Sequence, residues 1–463
     1  MAEIDPELTT PDRAAASGAA ARTGAIPPAR MALLFTVMLV TAAGNTAMQS
    51  VMPSIGTALK VDDVWISLAY SWSALLWVVC APIWARRSDR RGRKAMMALG
   101  LVGFITSMGL CGLALFAGLN GWLSAVWTLI AFAAARSLYG GFGSAAPPAV
   151  QAYVASRTAR AERTKALSLI ASSFGLGTVI GPVLAPLMVL PLLGLGLTGP
   201  FICYAMIGLV ALVVLRLRLP NDEPQFAARG EAAPYASGSG APNDPQLAGD
   251  DEDADAAGGS DAEPPRLSWL DQRLRPWIIA GFFGGHAQAM VLGISGFLVL
   301  DRLGLRTTPD EGVGPVTLVM AFGAIATLLA QWGLIPRFDL GPRAATLWGI
   351  ATAAFGTLVL ALGANLPTIA TGYAIASLGF GLFRPGTTAG TSLAVSRAEQ
   401  GQASGIVASL AGASYIYAPA LGVWLYGHSD WLGFGLIIAL CAMVLILGWR
   451  GLQADEVLTS ERK

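Results

Sequence analysis

"ARRSDRRGRK", residues 85–94, crowds seven charged side chains into nine positions between two stretches that carry almost no charge. The flanking runs, 64–85 and 95–117, each supply the roughly 20 apolar residues that a helix needs to cross a bilayer. The whole chain is 54% hydrophobic and 13% charged, with a mean hydropathy of +0.59. That is far too apolar for a soluble fold of 463 residues.

Outward from this segment the apolar runs recur, and twelve spans are expected. They lie at about 31–53, 64–85, 95–117, 122–148, 164–190 and 199–217, then 275–300, 313–336, 344–363, 367–393, 402–426 and 431–450. The fold class expected is therefore an all-α membrane protein. Residues 1–30 read as a disordered cytoplasmic tail. The apolar run from Met31 past Val51 is too long for a cleaved signal peptide and reads as a retained helix. Formal net charge is +1, so no overall field points to nucleic acid. Cys80, Cys111, Cys203 and Cys441 all sit in apolar runs without CxxC spacing, which speaks against a disulfide or a metal site.

Loop charge gives the orientation. Arg86, Arg87, Arg90, Arg91, Arg93 and Lys94 follow the second span, and Arg157, Arg160, Arg163 and Lys165 follow the fourth. The sixth, eighth and tenth are followed by Arg216 and Arg218, Arg337 and Arg343, and Arg397. The intervening loops are nearly free of Lys and Arg, except 301–312, where two Arg stand against three acids. The positive-inside rule thus places both termini and all even-numbered loops in the cytoplasm, and the protein in the cytoplasmic membrane. Between the sixth and seventh spans, 218–274 is Gly-, Pro- and Ser-rich. Its stretch 221–272 holds twelve acids and two arginines, a composition that cannot bury a core and reads as a flexible cytoplasmic linker.

The linker separates six spans (31–217) from six (275–450), leaving 451–463 as a cytoplasmic tail. The halves resemble each other. "ERTKALSLIASSFGLGTVIGPVLA" (162–185) aligns without a gap on "EQGQASGIVASLAGASYIYAPALG" (399–422), sharing Glu162/Glu399, Ala171/Ala408, Ser172/Ser409 and Pro182/Pro419. Equal span numbers per half mean parallel repeats, two pseudo-symmetric six-helix bundles flanking a central path.

These features resemble the major facilitator superfamily, whose loop pattern is Gly-x-x-x-Asp-Arg-x-Gly-Arg-Lys/Arg. Ala85, Asp89, Arg90, Gly92, Arg93 and Lys94 fall on it, with Ala in place of the first Gly. The second-half copy, "LIPRFDLGPR" (334–343), keeps Gly341 and Arg343 but lacks the Asp in register. The resemblance implies a gating role for Asp89, Gly92 and Arg93, as one half of a latch between the bundles. "RSLYGGFGSA" (136–145) looks like the family's fourth-helix pattern. "GLGTVIGPVLA" (175–185), with Gly177, Gly181 and Pro182, looks like the fifth-helix motif of twelve-helix drug or metabolite:proton antiporters, with Ala185 where Gly is frequent.

No carboxylate lies in the centre of an expected span. The polar groups within spans are Asn45 and Gln49, Arg136, His286 and Gln288, Gln331, and Arg384. Polar residues at such depth are costly and default to a functional reading. Asn45 and Gln49 share a helix face by their i,i+4 spacing. His286 is the repeat-related position of Asn45 if Gly44 matches Gly285, and its charge changes near neutral pH. Asn45, Gln49, Arg136, His286, Gln288 and Arg384 are the expected substrate-binding set, with Tyr139, Tyr415, Tyr417, Trp72 and Trp77 as an aromatic wall. The alternative for each Arg is bonding to backbone carbonyls or snorkelling to the cytoplasm.

A secondary transporter is the leading function, a monomer that moves a small solute by alternating access and needs no cofactor. The fifth-helix motif favours proton-coupled efflux of a drug or metabolite. The two arginines without an acid favour an anionic substrate and leave import of an organic anion open. A membrane-embedded enzyme would need a triad, a metal site or paired carboxylates within the spans, and none is present. The duplicated halves speak against a channel.

Overall fold

In hydrocarbon a backbone amide has no water to bond, so a spanning segment satisfies its polar groups internally as a helix. The computed structural model describes residues 26–158, 160–189, 194–221, 268, 271–395 and 400–455, and these are almost wholly helical. Most of the expected N-terminal tail, most of the linker, and residues 456–463 lie outside the described residues, as do Arg397 and Glu399.

The first half contains α1 (Pro28–Ala58), α2 (Asp63–Arg91), α3 (Arg93–Leu119), α4 (Ala125–Gly141), α5 (Arg160–Leu184) and α6 (Gly199–Arg218). The second contains α7 (Arg275–Arg302), α8 (Pro309–Leu328), α9 (Pro342–Leu362), α10 (Leu366–Leu393), α11 (Gln400–His428) and α12 (Asp430–Gly451). Among the described residues, ten of these units are long and apolar enough to cross a membrane. In α5 the described apolar stretch is Ser172–Leu184.

Several span ends differ from expectation, α1 running to Ala58 and α2 to Arg91. The fourth begins at Ala125 rather than 122, and runs on through a 3-10 turn (Gly143–Ala145) into a second helical stretch, Ala146–Arg157. Pro147 and Pro148 start that stretch where their missing N–H groups cost nothing. The fifth stops at Leu184 rather than 190: Pro186 has no N–H to extend the α-helix, and the chain passes through Ala185 into a 3-10 turn, Pro186–Met188. α8 carries a π-helical turn, Leu329–Leu334, before a last helical turn, Ile335–Phe338. Pro336 accounts for it, since its ring would collide with the carbonyl of residue 332 in α geometry and the wider turn makes room.

Helix pairing repeats between the halves. α1 packs on α5 and α6, α4 on α2 and α3, and α3 on α6. Six helices later, α7 packs on α11 and α12, α10 on α8 and α9, and α9 on α12. The halves meet through α2 against α11 and α5 against α8, with α8 also touching α1. α5 and α11 thus both take part in the contact between the halves.

The α1–α5 contact is the closest-fitted of the first half. A Cβ on Gly177 would stand 2.6 Å from the Leu39 carbonyl oxygen. One on Gly181 would collide with the Ala43 carbonyl and the Thr46 hydroxyl.

Polar ties close both ends. At the end carrying residues 59–62 and 303–308, Arg306 donates from Nη1 and Nη2 to both oxygens of Asp63 (2.8 and 2.6 Å), across the two halves. At the opposite end Asp455 accepts from the backbone N–H of Arg343 (2.7 Å) and of Ala344 (3.1 Å), capping α9. The carboxylate missing from the second loop copy is supplied there by a residue after α12.

Replacing Gly181 with Val should wedge α1 from α5 and cost about 1–3 kcal/mol of stability, as overpacking generally does. The check is the melting temperature of purified protein in detergent. An unchanged value would mean that the two helices separate freely.

Candidate functional site

A cavity lies between the halves, and α1, α2 and α4 give it its polar wall. The α2–α4 seam sets the position of that wall. Ser73 donates to the Arg136 carbonyl (3.2 Å), the Trp72 indole donates to Ser137 (2.7 Å), and Gly140 lies flush against the Ser73 backbone. Arg136 therefore projects from α4 across to α1, where its Nη2 donates to Asn45 Oδ1 at 2.9 Å. Tyr70 and Tyr139 flank the guanidinium, with ring centroids 5.3 and 4.8 Å from its carbon.

Arg136 is 3% exposed and Asn45 6%. Nε and Nη1 of Arg136 have no hydrogen-bond partner, nor does the buried hydroxyl of Tyr70. A cation at such depth meets one amide oxygen and two ring faces, which stabilise it far less than an anion would. The donors Nε, Nη1 and Tyr70 Oη have the chemistry that complements an oxyanion.

The cavity is lined by Asn45, Gln49, Tyr70 and Arg136 on the first half, and by Leu292, Phe297, Met320 and Tyr415 on the second. A second compartment adjoins it. Both share Gln49, Leu292, Met320 and Tyr415, and the second adds Gln288, Thr327, Tyr373 and Ser377. One compartment thus presents a cation, and its neighbour presents neutral hydroxyls and amides.

Asn45, Gln49, Arg136 and Gln288 are therefore brought to this pair of cavities. His286 and Arg384 are not among their lining residues. His286 is buried between α7 and α11, its Nδ1 2.6 Å from the Phe282 carbonyl and 3.3 Å from Ser414 Oγ, its ring against Phe282 and Tyr417. Arg384 lies on α10 beside the hydroxyl of Tyr415. Of the expected aromatic wall, Tyr415 lines both compartments and Tyr139 backs Arg136, whereas Trp77 packs on Tyr139 (5.1 Å). Trp72 and Tyr417 are each 47% exposed on the lipid-facing side. Tyr70 was missed; its signal is the Ser67, Tyr70, Ser73 spacing, a polar stripe along an otherwise apolar helix.

In the charged loop, Gly92 holds φ 86°, ψ 141°, a backbone region that side chains avoid, and so makes the corner between α2 and α3. Arg93 is 2% exposed, and its Nη1 donates to the Ala152 carbonyl at 2.5 Å. It is an anchor for the fourth span's second stretch as well as a loop charge. The side chain of Asp89 lies outside the described residues. Gly177 and Gly181 serve the α1–α5 contact, and Pro182 lines the second compartment.

Residues 34–338 match the sequence profile of the Major Facilitator Superfamily. Among curated proteins, the chain is 30% identical over 193 residues to a probable actinorhodin transporter of Streptomyces coelicolor, covering 41% of this chain and 31% of that one. It is 26% identical over 154 residues to the multidrug resistance protein MdtG of Proteus mirabilis, covering 32% and 35%. The chain spans about a third of the length of these curated relatives. Among solved structures, a bacterial homolog of the human lysosomal transporter Spinster superposes with a TM-score of 0.62 at 13% identity, over 95% and 96% of the two chains. The human organic anion transporter MFSD10 superposes at 0.58 and 19% identity, over 91% and 100%.

Asn45→Leu should destabilise the protein by about 1–3 kcal/mol, since it leaves a buried cation without its polar partner. Arg136→Met, which removes that charge altogether, should melt at or above the wild-type temperature. The reverse order in a thermal melt would show that Arg136 is satisfied by something other than Asn45.

Proposed function

Because the chain belongs to the major facilitator superfamily, we propose that it is a secondary transporter that exports a small organic anion across the cytoplasmic membrane in exchange for protons. Arg136 carries this reading: a buried guanidinium with two unused donor groups faces a cavity between two helix bundles. Rocking of the bundles about that cavity would expose it to each side in turn. The adjoining compartment, with Gln288, Thr327 and Ser377, would take the neutral remainder of the solute.

Direction rests on different support. The names of the curated relatives are those of an actinorhodin transporter and multidrug resistance proteins, and the Gly177–Gly181–Pro182 motif resembles that of antiporters. Loop charge assigns the end with Arg337, Arg343 and the 86–94 cluster to the cytoplasm, and the end with Asp63 and Arg306 to the outside. Import of an organic anion is the competing direction.

Vesicles test both points. Inside-out vesicles energised to an acid interior should accumulate anionic dyes saturably and lose them on adding an uncoupler. Right-side-out vesicles should not. Arg136→Met should lower anion transport at least tenfold, equivalent to the roughly 1.4 kcal/mol or more that a charge-assisted bond supplies, while sparing neutral solutes. Uptake by right-side-out vesicles alone would establish the importer, and an unaffected Arg136→Met would remove the anion assignment.

A further inference from the structure

The loop 301–312 is the exception to the loop-charge pattern, and the structure gives it a use. Arg306 is bound from two sides. Asp63, at the first turn of α2, accepts from Nη1 and Nη2, and Asp301, at the end of α7, accepts from Nε (2.7 Å) and Nη2 (3.1 Å). Nη1 also reaches Thr57 Oγ1 at 3.1 Å, at the end of α1. Tyr426 of α11 donates to the second oxygen of Asp301 at 2.8 Å. Around this one guanidinium, α1 and α2 of one half are tied to α7 and α11 of the other. Beside it the helices touch directly: a Cβ on Gly296 would stand 2.6 Å from Pro53.

We propose that Asp63, Asp301 and Arg306 form a proton-binding latch on the outer rim, closed while the two carboxylates share the guanidinium and released when external acid adds a proton to the pair. The orientation of this rim rests on the loop-charge assignment given above; the latch itself does not rest on the transported solute. One positive charge cannot neutralise two carboxylates that share its Nη2, so the pair holds a surplus negative charge that a proton removes. The surroundings reinforce that surplus. Asp62 adjoins Asp63, and the first turn of α8 adds Asp310 and Glu311. Arg302 is committed to Asp430 (2.6 Å) and the Ala361 carbonyl, which leaves Lys60 in the exposed turn before α2 as the other nearby cation. His428, two residues beyond Tyr426, bonds the Trp424 carbonyl. Arg306 itself stays charged: burial opposes its charge, but its hydrogen bonds to Asp63 and Asp301 more than offset this and raise its pKa above the ordinary value.

The chemistry is a simple transfer. A hydronium ion from the outer solution gives its proton to a carboxylate oxygen, the carboxylic acid no longer accepts a charged hydrogen bond, and the tie across the halves loosens. On reclosing, the proton returns to the same side. The latch therefore gates the outer opening according to external pH and does not itself carry a proton across.

Distances between spin labels at Asn120→Cys and Ala364→Cys, on exposed outer loops of the two halves, test this in nanodiscs without substrate. Cys80 and Cys203, the partly exposed native cysteines, are replaced by Ser. Between about pH 7.5 and about pH 5, which brackets titration of a carboxylate in a charge cluster, the wild type should pass from a short to a longer distance. Asp63→Asn should hold the longer distance at both values, and Asp63→Glu should restore the transition. Asp301→Asn should leave one carboxylate to one guanidinium and move the midpoint about one pH unit lower. A wild-type distance independent of pH, an Asp63→Asn protein that still responds, or an Asp301→Asn midpoint that stays or rises would each overturn the latch. Monodisperse elution on size exclusion confirms that each variant is folded. Since no transport is measured, failure of the efflux reading and failure of the latch register in separate experiments.

Discussion

Hydrocarbon does not press helices together, because lipid tails are as apolar as the side chains they would replace. What assembles these helices is how near their backbones can come. Gly177 and Gly181 let α1 settle on α5 until carbonyls, hydroxyls and α-carbons are in contact. That seating fixes the rotation of α1, and with it the direction of Asn45 and Gln49. α5 and α11 are among the helices through which the halves meet.

Against this near-symmetric frame the chemistry is lopsided. Helix pairs repeat at an interval of six, yet the repeat-related positions Asn45 and His286 have different neighbours. Asn45 accepts from Arg136 beside a cavity, whereas His286 is packed among Phe282, Ser414 and Tyr417. The first half contributes the charge and the second contributes hydroxyls, amides and apolar surface. A solute held between them would be oriented, with its polar group toward α4.

Much of this could be read from the amino acids, for identifiable reasons. A polar residue in hydrocarbon is costly, so Asn45, Gln49, Arg136 and Gln288 stood out against their surroundings and do meet at the cavities. His286 and Arg384 stood out equally and do not line them, because span membership says nothing of the angle at which a helix is turned. That angle depends on contacts such as Gly285 against Ser414, which involve residues far apart in the chain. Tyr70 escaped notice because its ring suits a membrane helix whether or not its hydroxyl is used. The π turn of α8 and the break after α4 follow from Pro336 and the Gly–Pro run at 140–148, whose effects on helix phase no apolar periodicity records. Arg306 looked like a lapse in the loop-charge rule until the fold put Asp63 beside it.

The cap on α9 has a consequence in time. Arg343 and Ala344 lie 112 and 111 positions ahead of Asp455, the residue that receives their N–H groups. During synthesis α9 leaves the ribosome, and meets its neighbours, with its first turn still open. Three more helices follow before the carboxylate exists. The cap of the second bundle therefore forms only after α12 has been made, whereas the Gly92 corner of the first can form as soon as α3 emerges.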